Sequence, residues 1–249
     1  MRRLSTLSRE DKLLIQGLPA FVVLVLAAWV IWRLTADLGD VEARLLTWSN
    51  ILELTWQHLQ IVLICTVLVL ALAVPCGVLL TRSRAAFLSP LVTGIANAGQ
   101  AAPVIGVIVL LALVLGFGLW TAVLALTLYA FLPVLANTVA GLRGVDRGTV
   151  EAARGMGMSP TQVLMRVELP VAMPVIMAGA RTALVLLVGA AAFATFIDAG
   201  GLGLLVQTGI IMFRYSILVS GAILVALLAL LVEWAGRVME LLLRPRGLV

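Results

Sequence analysis

A chain of 249 residues that is 63% hydrophobic and only 12% charged cannot hide its apolar surface in a water-soluble fold, where about 45–50% apolar and about 25% charged residues are usual. With a mean hydropathy of +1.17, it reads as an all-α, polytopic membrane protein. Its net charge of +5 would suit nucleic acid in a soluble protein, but the basic residues lie mostly between apolar spans, where they set membrane orientation, and no nucleic-acid partner is expected.

In chain order, six stretches approach the roughly 20 residues that cross a bilayer: Leu18–Leu34, Leu59–Leu80, Leu88–Leu115, Leu119–Leu142, Val171–Ile197 and Ile217–Leu241. The first follows Arg2, Arg3, Arg9 and Lys12, as a signal peptide would. Trp29, Trp32 and Arg33 at its far end form an interfacial anchor, and Leu34-Thr35-Ala36 is a poor cleavage site, so a retained helix is expected. The third stretch is interrupted by Asn97, Gly99, Gln100 and Pro103; one kinked helix and two separate segments both fit.

Charge sorts the loops. With the N-terminus inside, thirteen arginines and lysines fall on the inner side (Arg2, Arg3, Arg9, Lys12, Arg82, Arg84, Arg143, Arg147, Arg154, Arg166, Arg237, Arg244, Arg246) and three on the outer (Arg33, Arg44, Arg214). This bias places both termini in the cytoplasm, with the chain a multi-pass membrane protein. Thr35 to about His58 is then the largest outer loop, and Trp48 and Trp56 sit at the outer interface.

The chemistry is sparse. One His (His58) and two Cys (Cys65, Cys76) lack the parts of a metal site. The cysteines are eleven residues apart in one helix, about 16 Å along its axis, too far for a disulfide. No Walker-type phosphate loop occurs, and no internal repeat favours an inverted-repeat transporter. Intramembrane polar residues are Asn97, Gln100, Asn137 and Thr138, with Arg181 inside the fifth span and Glu233 in the last. Such groups either tie helices together or line a translocation path, and Pro103, by freeing backbone, adds Gln100's neighbourhood to that path. Arg181 can face a polar cavity or snorkel inward. Glu233 can pair with Arg237 one turn on.

The largest inner loop, Arg143 to Pro170, carries the most specific pattern. Arg147–Met156 can form a short amphipathic helix, broken by Gly155 and Gly157. Ser159-Pro160-Thr161-Gln162 restarts helix with a capping box and Pro at the first position. Pro170 and Pro174 are expected to stop or kink the helix there. Val150, Met156, Met158, Val163, Leu164 and Val167 are too apolar for a solvated connector, so another protein surface should cover them.

Glu151-Ala152-Ala153, then three residues, Gly157, nine residues and Val167-Glu168-Leu169-Pro170 resemble the EAA motif of ABC importer permeases, E-A-A-x3-G-x9-I-x-L-P, departing only by Val at 167. Gly99–Leu110, Gly116–Gly118, Leu128–Leu142, Val167–Ala183 and Phe196–Gly203 extend the likeness over roughly 57–241. They are similar to the permeases for osmoprotectants such as glycine betaine, choline, carnitine or proline. The chain departs from that pattern at Ala101-Ala102-Pro103 and at Asp198, where Gly is common.

The resemblance implies a type I ABC importer permease core with a cytoplasmic coupling helix, in the cell membrane of a prokaryote. Residues 1–56 would be a cytoplasmic segment, an extra helix and an outer loop, 57–241 the transmembrane domain with coupling loop 143–170, and 242–249 a cytoplasmic tail. Glu151, Ala152, Ala153, Gly155, Gly157, Met158, Leu169 and Pro170 would meet the ATPase. Asn97, Gln100, Pro103, Asn137, Thr138 and Arg181 are the path residues. The chain itself would be no enzyme and bind no cofactor; ATP-Mg would sit on two cytoplasmic ATPase subunits. A second permease chain, identical or related, an extracytoplasmic solute-binding protein and membrane lipid complete the partners. The small-molecule substrate would be a quaternary amine. The rivals are a permease for methionine or another amino acid, an ion-gradient-driven transporter or channel, and a scaffold without transport activity.

Overall fold

The computed structural model describes residues 9–82 and 86–243. The expectations for Arg2, Arg3, Arg84, Arg244, Arg246 and most of the tail lie outside the described residues. Among those described, every regular element is helical. Five helices are long and apolar enough to cross a membrane.

The first helix, α1 (Arg9–Thr35), leads to a short helix α2 (Asp40–Leu45) and then to α3 (Trp48–Leu80). Thr47 caps α3 by accepting from the Asn50 N–H. The outer loop expected to run to His58 therefore ends ten residues earlier, because this cap starts the helix at Trp48. With 33 residues, α3 is about 50 Å long, well beyond the roughly 30 Å hydrocarbon layer, so part of it stands outside the layer or tilts.

The third stretch is two helices, α4 (Ser89–Ala101) and α5 (Val104–Leu115). Ala102 is extended (ψ 142), the conformation that a following proline imposes. Neither piece, at about 18–20 Å, crosses alone; the crossing is broken at Ala102-Pro103. Next come α6 (Leu119–Arg143), α7 (Arg147–Gly155), α8 (Pro160–Val163) and α9 (Leu169–Ala191). A π-helical turn at Leu164–Glu168 joins α8 to α9, and a 3-10 turn continues α9 to Ile197. Pro170 does not stop this helix: it lies in the first turn of α9, where its missing N–H costs nothing, and the π turn absorbs the mismatch. After an outer glycine turn come α10 (Gly203–Ile211) and α11 (Tyr215–Leu243).

The core is α6 packed against α3 and α9, with α11 on α9 and α1 on α11. Close helix approach needs small residues, since lipid supplies no hydrophobic drive between helices. A Cβ on Gly77 would lie 2.6 Å from Thr138 Cγ2, and one on Gly179 2.6 Å from Asn137 Cβ. Trp29 Nε1 donates to Ser220 Oγ at 3.0 Å, stitching α1 to α11.

Candidate functional site

The loop between α6 and α9 folds as the sequence directs. Asp146 caps α7, its Oδ2 accepting from the Thr149 N–H at 2.8 Å and from the Thr149 hydroxyl at 3.1 Å. These bonds, the backbone one foremost, hold the Asp146 carboxyl below its ordinary value of 3.8. A depressed carboxylate stabilises the folded state above its unfolded value and loses that effect as pH falls through the folded one, so the cap is complete at neutral pH. At the other end, the Gly157 N–H donates to the Arg154 carbonyl and the Met158 N–H to the Ala153 carbonyl. With Gly157 at φ +83, this is a Schellman ending. Two residues on, the Ser159–Gln162 capping box forms in both directions: Gln162 N–H to Ser159 Oγ, and Ser159 N–H to Gln162 Oε1.

The faces of α7 divide sharply. Ala153 is 1% exposed and packs into this chain, while Glu151, Ala152, Arg154 and Gly155 face outward. Close approach at Ala153 is therefore to the chain's own helices, and Ala152 carries the small outward surface. Val150 and Leu164 pack against a second apolar cluster of Leu142, Val145, Ala172 and Ile176, which also meets Val74 and Val78 of α3. Val163 is buried as well. Most of the loop's apolar residues are thus covered internally; Met156, 72% exposed, is left uncovered beside Gly157.

The base of the loop holds an ion pair that no local sequence signal marks. Glu168 is buried and takes a two-pronged contact from Arg82 just past the C-terminal end of α3, with Nη1 to Oε1 at 3.3 Å and Nη2 to Oε2 closer still. Guanidinium and carboxylate match in this fork geometry. The pair ties α3 to the π turn that launches α9. Beside it lies a cleft of about 330 Å³ lined by Arg82, Arg143, Arg147, Arg154, Glu151 and Glu168. A charged cleft beside an exposed helix of small residues suits protein docking better than small-molecule chemistry. Leu169 and Pro170 are half-buried at the start of α9, and Met158 is half-buried at the turn.

The six path residues are spread over α4, the start of α5, α6 and α9. Asn97 is exposed and Gln100 half-buried on α4, and Pro103 begins α5. Asn137 Nδ2 donates to the Pro133 carbonyl at 2.8 Å. Thr138, fully buried, donates to the Val134 carbonyl at 2.7 Å. Both pack against glycines of neighbouring helices; the Thr138 hydroxyl and one N–H of the Asn137 amide are bonded within α6. Arg181 pairs with Glu240 of α11 at 3.3 Å. The partner lies 59 positions away in sequence, and no local signal marks it. Glu233 is half-buried on α11.

The end of the bundle opposite that loop is braced by polar contacts. Arg214 reaches Glu42 Oε1 at 3.6 Å, Ser216 Oγ donates to the same oxygen at 3.1 Å, and Arg33 Nε donates to the Leu46 carbonyl at 2.9 Å. The glycine turn clasps α3: the Gly201 N–H donates to Gln57 Oε1 at 3.1 Å, and His58 Nε2 lies 2.9 Å from the Val188 carbonyl oxygen.

Residues 73–245 match the family described as "Binding-protein-dependent transport system inner membrane component". The carnitine transport permease protein OpuCB of Listeria monocytogenes is 41% identical over 199 residues, covering 80% of this chain and 90% of that protein. The choline transport system permease protein OpuBB of Bacillus subtilis (strain 168) is 38% identical, over 80% of this chain and 91% of its own. The osmoprotectant import permease protein OsmW of Salmonella typhimurium is 38% identical, over 79% and 93%. Among solved structures, an inward-facing form of the MetNI methionine ABC transporter superposes with a TM-score of 0.71 at 25% identity, over 84% of this chain and 100% of that one.

Proposed function

The chain belongs to the family of binding-protein-dependent transport system inner membrane components, and from that membership we propose that it is the membrane-spanning subunit of an ATP-driven importer of quaternary-amine osmoprotectants. The observation that carries the substrate is the 41% and 38% identity, along four-fifths of the chain, to permeases named for carnitine and choline. Residues 57–241 act as the transmembrane domain. Its cytoplasmic loop, with Glu151, Ala152 and Met156 outward and Gly157 as the turn, docks a separate ATPase pair that holds ATP-Mg. A second permease chain closes the path, and an extracytoplasmic binding protein captures the solute and delivers it.

The loop geometry fits this work mechanically. A short helix capped at both ends keeps its shape under load, and the apolar cluster with the Arg82–Glu168 pair fixes its base to α3, α6 and α9. A push on the outward face of α7 reaches three long helices at once. Arginines crowd the coupling-loop end of the bundle, which supports cytoplasmic termini for this chain.

The fold likeness to a methionine transporter supports a second reading, amino-acid import. Stimulation of ATP hydrolysis separates the two. The chain, reconstituted with its ATPase and binding protein, should hydrolyse ATP faster when the binding protein is loaded with glycine betaine or choline. Stimulation by methionine or a polar amino acid alone would shift the assignment to the second reading.

A further inference from the structure

The central helix of the bundle leaves one stripe bare. α9 is packed by α3, α6 and α11, yet Val171, Val175, Thr182, Gly189, Phe193 and Phe196 are exposed along its length. Their spacings of four, seven, seven, four and three residues keep them on one side of the helix. The stripe differs from the lipid-type faces of this chain, such as Leu110, Leu113 and Val114 on α5, which are large and wholly aliphatic. Thr182 and Gly189 in its middle leave a shallow track, and a Cβ on Gly189 would meet nothing within 4 Å. At the outer end, the helix tightens to a 3-10 turn over Ala192–Ile197. That turn eclipses residues three apart, so Phe193 and Phe196, 36% and 39% exposed, stand as neighbours with ring centroids 6.4 Å apart and planes tilted by 36°. Asp198 comes immediately after, exposed and left-handed at φ +59. Arg214 and Arg33 are engaged elsewhere, by Glu42 and by the Leu46 carbonyl.

Two partly exposed aromatic rings, with a carboxylate two residues beyond the second, supply the chemistry that recognises a quaternary ammonium group, which binds ring faces and cannot donate hydrogen bonds. We propose that Phe193 and Phe196, with Asp198, form the first contact of the permease for the substrate's trimethylammonium group. This site is distinct from the polar residues Asn137 and Thr138 of α6. The inference rests on the functional reading above and supplies its specificity element. The site needs only weak affinity: two rings hold a cation long enough to orient it and release it onward along the track.

The test uses vesicles holding the full complex, with saturating choline-loaded binding protein and radiolabelled choline. Phe193 and Phe196 are each replaced by leucine, by tryptophan, and by phenylalanines carrying one, two and three ring fluorines. A ring face contributes by its negative quadrupole, so maximal choline uptake should fall stepwise with each added fluorine. Leucine should lower it about three- to thirty-fold, with less choline moved per ATP hydrolysed, and tryptophan should retain it. Asp198→Asn, which keeps a left-handed residue while removing the charge, should reduce uptake at low ionic strength. A flat fluorine series with leucine variants at the parental rate would overturn the proposal and make the rings membrane-interface anchors. Parental vesicles that take up no quaternary amine would instead overturn the functional reading, before any variant is compared.

Discussion

Replacing Gly157 by valine should cut transport about five- to thirty-fold while leaving the protein in the membrane. Gly157 sits at φ +83, a conformation that costs a residue bearing a Cβ about 1–2 kcal/mol and a β-branched one at least as much. No neighbouring atom would obstruct the added Cβ, so the penalty is in the backbone. A strained residue there unravels the Schellman ending, frees the carbonyls of Ala153 and Arg154, and swings the outward face of α7 away from its set direction. The population of correctly shaped loops should drop by about five- to thirty-fold. Membrane insertion should persist, because the residue lies outside every span. Solute uptake, measured beside co-purification of the ATPase, checks this: uptake should fall by about the same factor. Normal uptake with the ATPase still bound would mean that the loop is only a connector.

A comparable loss should result from Glu168→Ala. Surface ion pairs contribute about 0–1 kcal/mol and breaking a buried pair costs about 3–5 kcal/mol; with Glu168 buried and Arg82 half-exposed, about 2 kcal/mol is expected. Arg82 would be left with its charge at the base of the loop and no carboxylate across from it. The expected outcome is a loop loosened from α3, with uptake reduced about thirty-fold at that energy. Glu168→Gln should be milder, since an amide still accepts one hydrogen bond. The charge-exchanged pair Arg82→Glu with Glu168→Arg should recover part of the activity. Uptake in all three, beside the thermal stability of the purified protein, is the check. Parental behaviour in Glu168→Ala would show that the pair does not hold the loop.

Legibility in the sequence was local. The capping box at Ser159, the break at Gly157 and the helix before it depend on residues within a turn of each other, and all three form where the spacing puts them. The break at Pro103 was readable too, because proline constrains its own neighbour; whether two helices result depends on the surroundings. Long-range pairings were not legible. Nothing near Arg82 announces Glu168, and nothing near Arg181 announces Glu240, since the partners meet only when helices far apart in sequence pack. The same limit explains Ala153. Small residues at 152 and 153 both suited a docking face, and only the packing of α7 on the apolar cluster turned one of them inward. Asn137 and Thr138 look alike as intramembrane polar groups, and each donates one hydrogen bond to a backbone carbonyl a turn below it, a pairing the sequence does not announce.

A permease that forms the path of an importer driven by ATP hydrolysis on a partner is tested most directly by solute accumulation. The measurement is uptake of radiolabelled choline or glycine betaine into vesicles carrying the chain, its ATPase and its binding protein. The predicted result is uptake against the concentration gradient that needs all three proteins and ATP-Mg, and that persists when ion gradients are collapsed. Accumulation driven by a proton or sodium gradient, with the ATPase omitted, would contradict it.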